Sequence, residues 1–162
     1  ATYYVPDGCA YEVWALRGQG QRAYTYFAEN ASAAQNDRAE VRHLEPYCYG
    51  QFTEGPASKH FGRSQVHWLT GTASTVMVGC VEGILGLRPD LDGLRLAPAI
   101  PREWTGFTMD KDFRGCRLHI RVENPHHRES GFTSLTVNGR ELPDAYIPAA
   151  LLTRETEVCL IL

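Results

Sequence analysis

At 162 residues, 43% hydrophobic and 22% charged, the chain holds material for one globular domain or two small ones, with enough apolar side chains for a core. A formal net charge of −3 argues against nucleic acid and against an anionic membrane surface, both of which select clustered positive charge, and leaves neutral or anionic small ligands as partners. The longest apolar run, residues 76–87, contains Glu82 and falls short of the roughly 18–20 residues that cross a bilayer, so no membrane span is expected.

Residues 9–30 read as helix, turn, helix. Val13, Trp14 and Leu16 precede the tetrapeptide RGQG, whose Gly18 and Gly20 stop the first helix, and Ala23, Tyr24, Phe27 and Ala28 then recur at helical spacing. Residues 40–64 carry two prolines, three glycines and four aromatics between Tyr47 and Phe61, which predicts a long irregular segment. Long loops in compact proteins tend to be functional or disordered, and the aromatic content favours function. A helix follows over residues 72–86, with Gly86 as its stop. It has no polar stripe, so other elements must enclose it and set its N-terminus in an interior or at the floor of a cleft. Two short helices cannot supply that enclosure, and the helical portion reads as part of a larger α-helical body. The first residue is Ala rather than Met, and no secretory signal opens the chain, which points to a fragment or a processed product.

Past residue 88 the period drops to two. Cys116, Leu118, Ile120 and Val122 alternate with Arg117, His119, Arg121 and Glu123, as in a strand with one buried face. Leu135 and Val137 lead into Asn138-Gly139, a dipeptide that accepts positive φ at both central positions of a tight hairpin turn. The closing TEVCLIL reads as a further strand, buried on at least one face. The expected fold class is therefore α then β: residues 1–88 helical, residues 89–162 an antiparallel β-sandwich. Phe107, Phe113, Phe132 and Tyr146 read as core positions of that sandwich.

The segment HWLTGTAS, residues 67–74, places a turn directly before the apolar helix. The first N–H groups of a helix lack intrahelical partners, and the macrodipole adds about half a positive charge there. Gly71 would let an anion approach the backbone, while Thr70 and Thr72 supply hydroxyl donors and Thr72 can cap the helix. Phosphate would fit such an end; an ordinary N-cap and an ordinary turn glycine would give the same pattern. Trp68 reads as a core residue that alternatively offers a flat face to a ligand. Glu45, before Pro46, is expected to tie the loop to Arg42 or a neighbouring basic residue rather than to act as a catalytic carboxylate, and Glu54 is likewise set aside. The five cysteines (Cys9, Cys48, Cys80, Cys116 and Cys159) show no C-x-x-C spacing and read as buried free thiols, in keeping with a reducing cytoplasm. His126 and His127, adjacent in a loop, do not have the spacing of metal ligands, and no metal site is expected.

Four stretches in order, EPYCYGQFTEG (45–55), FGRSQVHWLTGTAS (61–74), GILGLRPDLDGLRLAPAIP (83–101) and FRGCRLHIRVENP (113–125), resemble the C-terminal part of the inverting β-glycoside phosphorylases of glycoside hydrolase family 94. The likeness runs from about Arg22 to the end and is strongest to the members acting on chitobiose, with those acting on cellobiose and cellodextrins more distant. It implies the last helices of an incomplete (α/α)6 barrel over residues 1–88 and a jelly-roll-like β-sandwich over 89–162. It also implies that Thr70 and Gly71 contact inorganic phosphate and that Gln51 contacts the donor sugar, work suited to an amide that both accepts and donates. Without the resemblance, Gln51 reads equally as a loop amide bonded to nearby backbone. The implied co-substrates are a β-linked disaccharide and phosphate, with no other cofactor, and family members are often homodimers. The family's general acid, an Asp, is expected upstream of these residues, so no catalytic residue is assigned here. A phosphate-binding His is expected near the start, where Val5 to Gly8 stand; no His precedes His43. A different reading is a non-catalytic carbohydrate-binding or structural β-sandwich module, which would need a row of exposed aromatics on one sheet face. A third is a relative using the same modules for transglycosylation or hydrolysis.

Overall fold

The computed structural model describes residues 8–34 and 36–162, apart from the side chains of residues 8–11. Two helices open it, α1 (Gly8–Leu16) and α2 (Gly20–Asn30), joined through Gly18 at φ 72°, as the RGQG turn predicts. A short α3 (Ala39–Arg42) follows, and then a hairpin of β1 (Gly50–Thr53) and β2 (Ser64–His67). The segment expected to be irregular thus contains an antiparallel ladder, with Gly50 opposite His67 and Thr53 opposite Ser64. Its connection is closed by Glu54, whose N–H donates to the Arg63 carbonyl while its own carbonyl accepts from Gly62.

Helix α4 (Thr72–Val78) runs on as a π-helical stretch, Gly79–Ile84. Gly86 ends it at φ 75°, a conformation that L-residues avoid, and a Cβ there would collide with the backbone of Ala97 and Pro98. That close approach lets Ala97 and Ala99 donate to the carbonyls of Gly86 and Ile84, fixing the helix end against the first strands. Enclosure is less complete than the apolar sequence predicts. Val76, Gly79, Gly83 and Ile84 are buried, but Met77 is 64% exposed among the described residues. The sequence gives no polar stripe, yet the described neighbours cover only one side of the helix.

The remaining strands form two further sheets. β3 (Leu87–Asp90), β4 (Gly93–Leu96) and β9 (Tyr146–Pro148) make an antiparallel three-stranded sheet. The larger sheet has the order β5 (Gly106–Phe113), β6 (Cys116–Glu123), β10 (Glu155–Ile161), β7 (Ser134–Val137), β8 (Arg140–Leu142). It is not wholly antiparallel: β10 runs parallel to β6, with Val158 opposite Ile120. A parallel neighbour requires a long crossover, and residues 124–154 supply one by passing through β7, β8 and β9 before returning. The Asn138-Gly139 turn has φ 49° and 78°, the double left-handed geometry that its composition predicts.

Leu87, Leu94, Leu96 and Ile147 of one sheet and Leu118, Ile120, Val122, Leu135, Val137, Val158 and Leu160 of the other belong to one buried cluster. Each such side chain contributes about 1.5–3 kcal/mol relative to exposure. The cluster continues into the helices through Ala15, Ala23 and Val76. Gly20, at the start of α2, lies so close to the Ile100 backbone that no Cβ fits there, and Tyr24 meets Trp104 edge-on at 5.1 Å. Phe107 and Phe113 pack on the core as expected, and Tyr146 is half-buried beneath Arg95, but Phe132 is exposed. Of the four cysteines with described side chains all are free, and only Cys48 is buried. Cys9 and the stretch Val5 to Asp7 lie outside the residues whose side chains are described. No helix among the described residues is long and apolar enough to cross a membrane.

Candidate functional site

The β1–β2 hairpin runs directly into the turn before α4, so the predicted residues lie on consecutive elements. Gln51 follows Gly50, which pairs with His67; three residues past His67 comes Thr70. Gln51 is exposed on β1, and Gly71 is exposed at the head of α4.

At that head, Gly71 rather than Thr72 is the N-cap residue. Thr72 is the first helical residue, and its N–H donates to Thr70 Oγ1 at 3.1 Å, so the capping oxygen comes from the residue before the glycine. The two threonine hydroxyls lie 2.7 Å apart. When Thr70 Oγ1 accepts from both the amide and the hydroxyl of Thr72, its own hydrogen is left to point outward. The Gly71 carbonyl accepts from the Thr75 amide at 3.0 Å and from the Ser74 and Thr75 hydroxyls at 2.9 and 3.0 Å, holding the first turn rigid. Gly71 itself has φ −75°, which any residue adopts, and a Cβ there would meet nothing within 4 Å. Neither strain nor packing explains a glycine here. The Thr72 N–H is already taken by Thr70 Oγ1, and the open space is beside Gly71 itself.

Trp68 departs from its core reading. It is 75% exposed, sits at φ 65°, and donates its indole N–H to Glu45 Oε2 at 3.0 Å. The same carboxylate oxygen is 3.5 Å from His67 Nδ1, so Glu45 ties the loop to its own hairpin and not to Arg42. Arg42 is instead half-buried beside Cys48 and Tyr49, and burial holds its guanidinium below its ordinary value. Glu54 braces the hairpin connection: Gln65 Nε2 donates to its Oε1 at 3.0 Å, and the Ser58 hydroxyl donates to its Oε2. These bonds, Ser58 first, hold its carboxyl below the usual carboxylate range. Both carboxylates are thus engaged by side chains of the hairpin and its flanks. The orientation of Trp68 had no sequence signal beyond its place before the turn, because the positive φ that exposes it is not written in residue type.

Two surface depressions lie elsewhere. One, of about 560 Å³, runs along α2 between Gln21, Thr25, Glu29 and Glu129. The other, of about 640 Å³, crosses the outer face of the large sheet at Asp110, His119, Arg121 and Glu157.

Residues 2–86 match the catalytic domain of the glycosyl hydrolase 94 superfamily, and residues 87–142 match the C-terminal domain of glycosyl hydrolase family 65. The N,N'-diacetylchitobiose phosphorylase of Vibrio furnissii is 37% identical over all 162 residues, and that of Vibrio proteolyticus is 35% identical over 93% of the chain. A solabiose phosphorylase of Paenibacillus borealis is 26% identical over 82% of the chain. The chain spans 20%, 19% and 17% of those three relatives, about a fifth of their length or less. The match over residues 2–86, more than half of the sequence, places it in a family: the chain belongs to the glycosyl hydrolase 94 superfamily.

Proposed function

We propose that this chain is the C-terminal portion of an inverting β-glycoside phosphorylase that cleaves a β-linked disaccharide with inorganic phosphate, N,N'-diacetylchitobiose being the preferred substrate. On this reading residues 1–88 complete an (α/α)6 barrel and residues 89–162 form its supporting jelly-roll-like sandwich. The outward hydroxyl of Thr70 and the open backbone at Gly71 bind phosphate, and Gln51 contacts the donor sugar. Phosphate attacks the anomeric carbon from the face opposite the leaving group, while an Asp from the part of the protein preceding residue 1 protonates the glycosidic oxygen, and the configuration inverts. Phosphate takes the place of the water and base of an inverting hydrolase, so the residues present here bind and orient rather than transfer protons. No further cofactor enters the scheme. A cytoplasmic homodimer is the working state.

The observation that carries this reading is the vacancy over Gly71 at a braced helix start, in a chain whose relatives are named as disaccharide phosphorylases. The rival reading of a carbohydrate-binding sandwich is disfavoured by Phe107 and Phe113, which pack inward, and by the charged outer face of the large sheet. The test is to incubate the full-length protein with N,N'-diacetylchitobiose and phosphate. A sugar 1-phosphate and one equivalent of free sugar are expected; free sugars alone, formed at the same rate without phosphate, would reject the proposal.

A further inference from the structure

We propose that Trp68 is the stacking wall of the saccharide site, its indole face presented to a pyranose ring by a strained turn in its own backbone and by the bond from its Nε1 to Glu45. The inference rests on the phosphorylase reading for its location and on this chain's own geometry for the residue. Leu69 N–H donates to the His67 carbonyl at 2.7 Å, which closes a three-residue turn centred on Trp68 at φ 65°. Such positive-φ γ-turns are rare and strained, and an aromatic residue gains nothing from one in ordinary packing. Val66, two residues earlier, is also at positive φ, 56°, where a β-branched side chain is an outlier. Strain concentrated in three residues ahead of the Thr70–Gly71 turn persists only where surrounding structure imposes it, and such clusters mark ligand clamps.

The strained backbone turns the indole out of the fold, 75% exposed, and Glu45 then fixes it from 23 residues away. An exposed tryptophan with a rotamer set by a charge-assisted bond is a rigid flat surface ready for a ligand. The ligand chemistry follows from the indole: its electron-rich face matches the C–H groups on one face of a pyranose, while an anion is repelled by that same face. Trp68 therefore takes the sugar and leaves the phosphate to Gly71. Glu45 is a positioning residue, acting through the indole.

The experiment uses the full-length protein and its Trp68→Ala, Trp68→Phe, Glu45→Ala and Glu45→Gln variants. Binding of N,N'-diacetylchitobiose and of cellobiose is measured by calorimetry without phosphate, and the phosphate KM is measured at saturating disaccharide. Trp68→Ala should weaken saccharide binding about tenfold and leave the phosphate KM within about twofold. Trp68→Phe keeps an aromatic face and should stay within about threefold of the parent. Glu45→Ala should fall between these, and Glu45→Gln, whose amide oxygen still accepts the indole N–H, should restore affinity. Unchanged saccharide affinity in Trp68→Ala, or a fall in thermal stability alone in both Trp68 variants, overturns the proposal and makes Trp68 a packing residue. Saccharide binding that depends on Trp68 in a protein forming no sugar 1-phosphate would sink the phosphorylase reading and uphold this one. A parent protein that binds neither disaccharide sinks both.

Discussion

His119 on β6 bridges Asp110 on β5 and Glu155 on β10: its Nδ1 lies 2.8 Å from one carboxylate and its Nε2 2.9 Å from the other. A neutral imidazole carries one N–H and one lone pair, so only the imidazolium can donate to both. The bond to Glu155 first and that to Asp110 second raise His119 above its ordinary 6.5, and His119 in turn is the main cause that lowers Asp110. Arg117 adds to the array, reaching Asp110 at 3.3 Å and Asp112 at 2.9 Å. Glu157 also faces His119 and raises it further.

The sign of the pH effect follows from the raised value. A histidine whose folded pKa exceeds its unfolded one contributes stability that is complete below the unfolded value and lost as pH rises through the folded midpoint. The ring-proton resonance of His119 should titrate with a midpoint above 6.5. Molar salt should move that midpoint back down, because these groups face water and are screened. A midpoint at or below the ordinary value would show that the bridge does not persist in solution. His119→Gln should flatten the pH dependence of unfolding above the ordinary histidine value of 6.5.

Gly139→Ala isolates backbone strain from packing. Gly139 is at φ 78°, and a Cβ there would meet nothing within 4 Å, so the substitution introduces a conformational penalty and no clash. Urea denaturation should show a loss of about 1–2 kcal/mol. Asn138 should resist replacement for a second reason: its Oδ1 accepts from the Glu157 amide at 2.9 Å, pinning the turn to β10. A neutral Gly139→Ala would mean the turn relaxes out of its double left-handed form.

The β1–β2 hairpin stands apart from the main core, since none of its residues belongs to the central buried cluster. Its carboxylate brace should therefore govern local opening. Glu54→Ala should accelerate hydrogen exchange at the Glu54-equivalent and Gly62 amides, which close the connection, and leave Ile120 and Val158 protected as before. The carboxyl is held below its ordinary 4.5, chiefly by Ser58 and then Gln65, so its contribution is present above that value and lost as pH falls through the lowered midpoint. Acid should thus loosen the hairpin before the sandwich. Equal acceleration at every amide would assign Glu54 to global stability instead.

What the sequence discloses here is face and turn, not direction or exposure. The alternation of Leu118, Ile120 and Val122 with charged neighbours names the buried side of β6, and all three are buried. The same alternation holds whether a neighbour runs parallel or antiparallel, so the parallel β10 was not legible. The hairpin of residues 50–67 leaves no such pattern, because its strands are short and largely polar and its connection is held by side chains, Glu54 to Ser58 and Gln65, rather than by a two-residue turn. Trp68 reads as core because residue type favours burial, whereas a positive φ turns it outward. The turn at Thr70–Gly71 is legible as the start of a helix, and α4 does begin at Thr72. That Thr70, not Thr72, supplies the capping oxygen is not, since either threonine satisfies the pattern.

That arrangement decides which substitution probes phosphate binding cleanly. Thr70→Val would remove a hydroxyl donor but also the oxygen that caps the Thr72 amide, costing about 0.5–2 kcal/mol and confounding binding with stability. Gly71→Ala does not share that flaw. With φ −75° and nothing within 4 Å of the new Cβ, the folded chain accepts the methyl group, and the unfolding free energy should stay within about 1 kcal/mol of the parent. The methyl group would nevertheless occupy the space an oxyanion needs to reach the helix-start amides. In the full-length protein the phosphate KM should rise on the order of tenfold or more, with disaccharide affinity little changed. Gly139→Ala supplies the converse: destabilised, with its phosphate KM untouched. Should Gly71→Ala leave the phosphate KM as it was, the helix start is an ordinary cap, and the anion must be held by other residues.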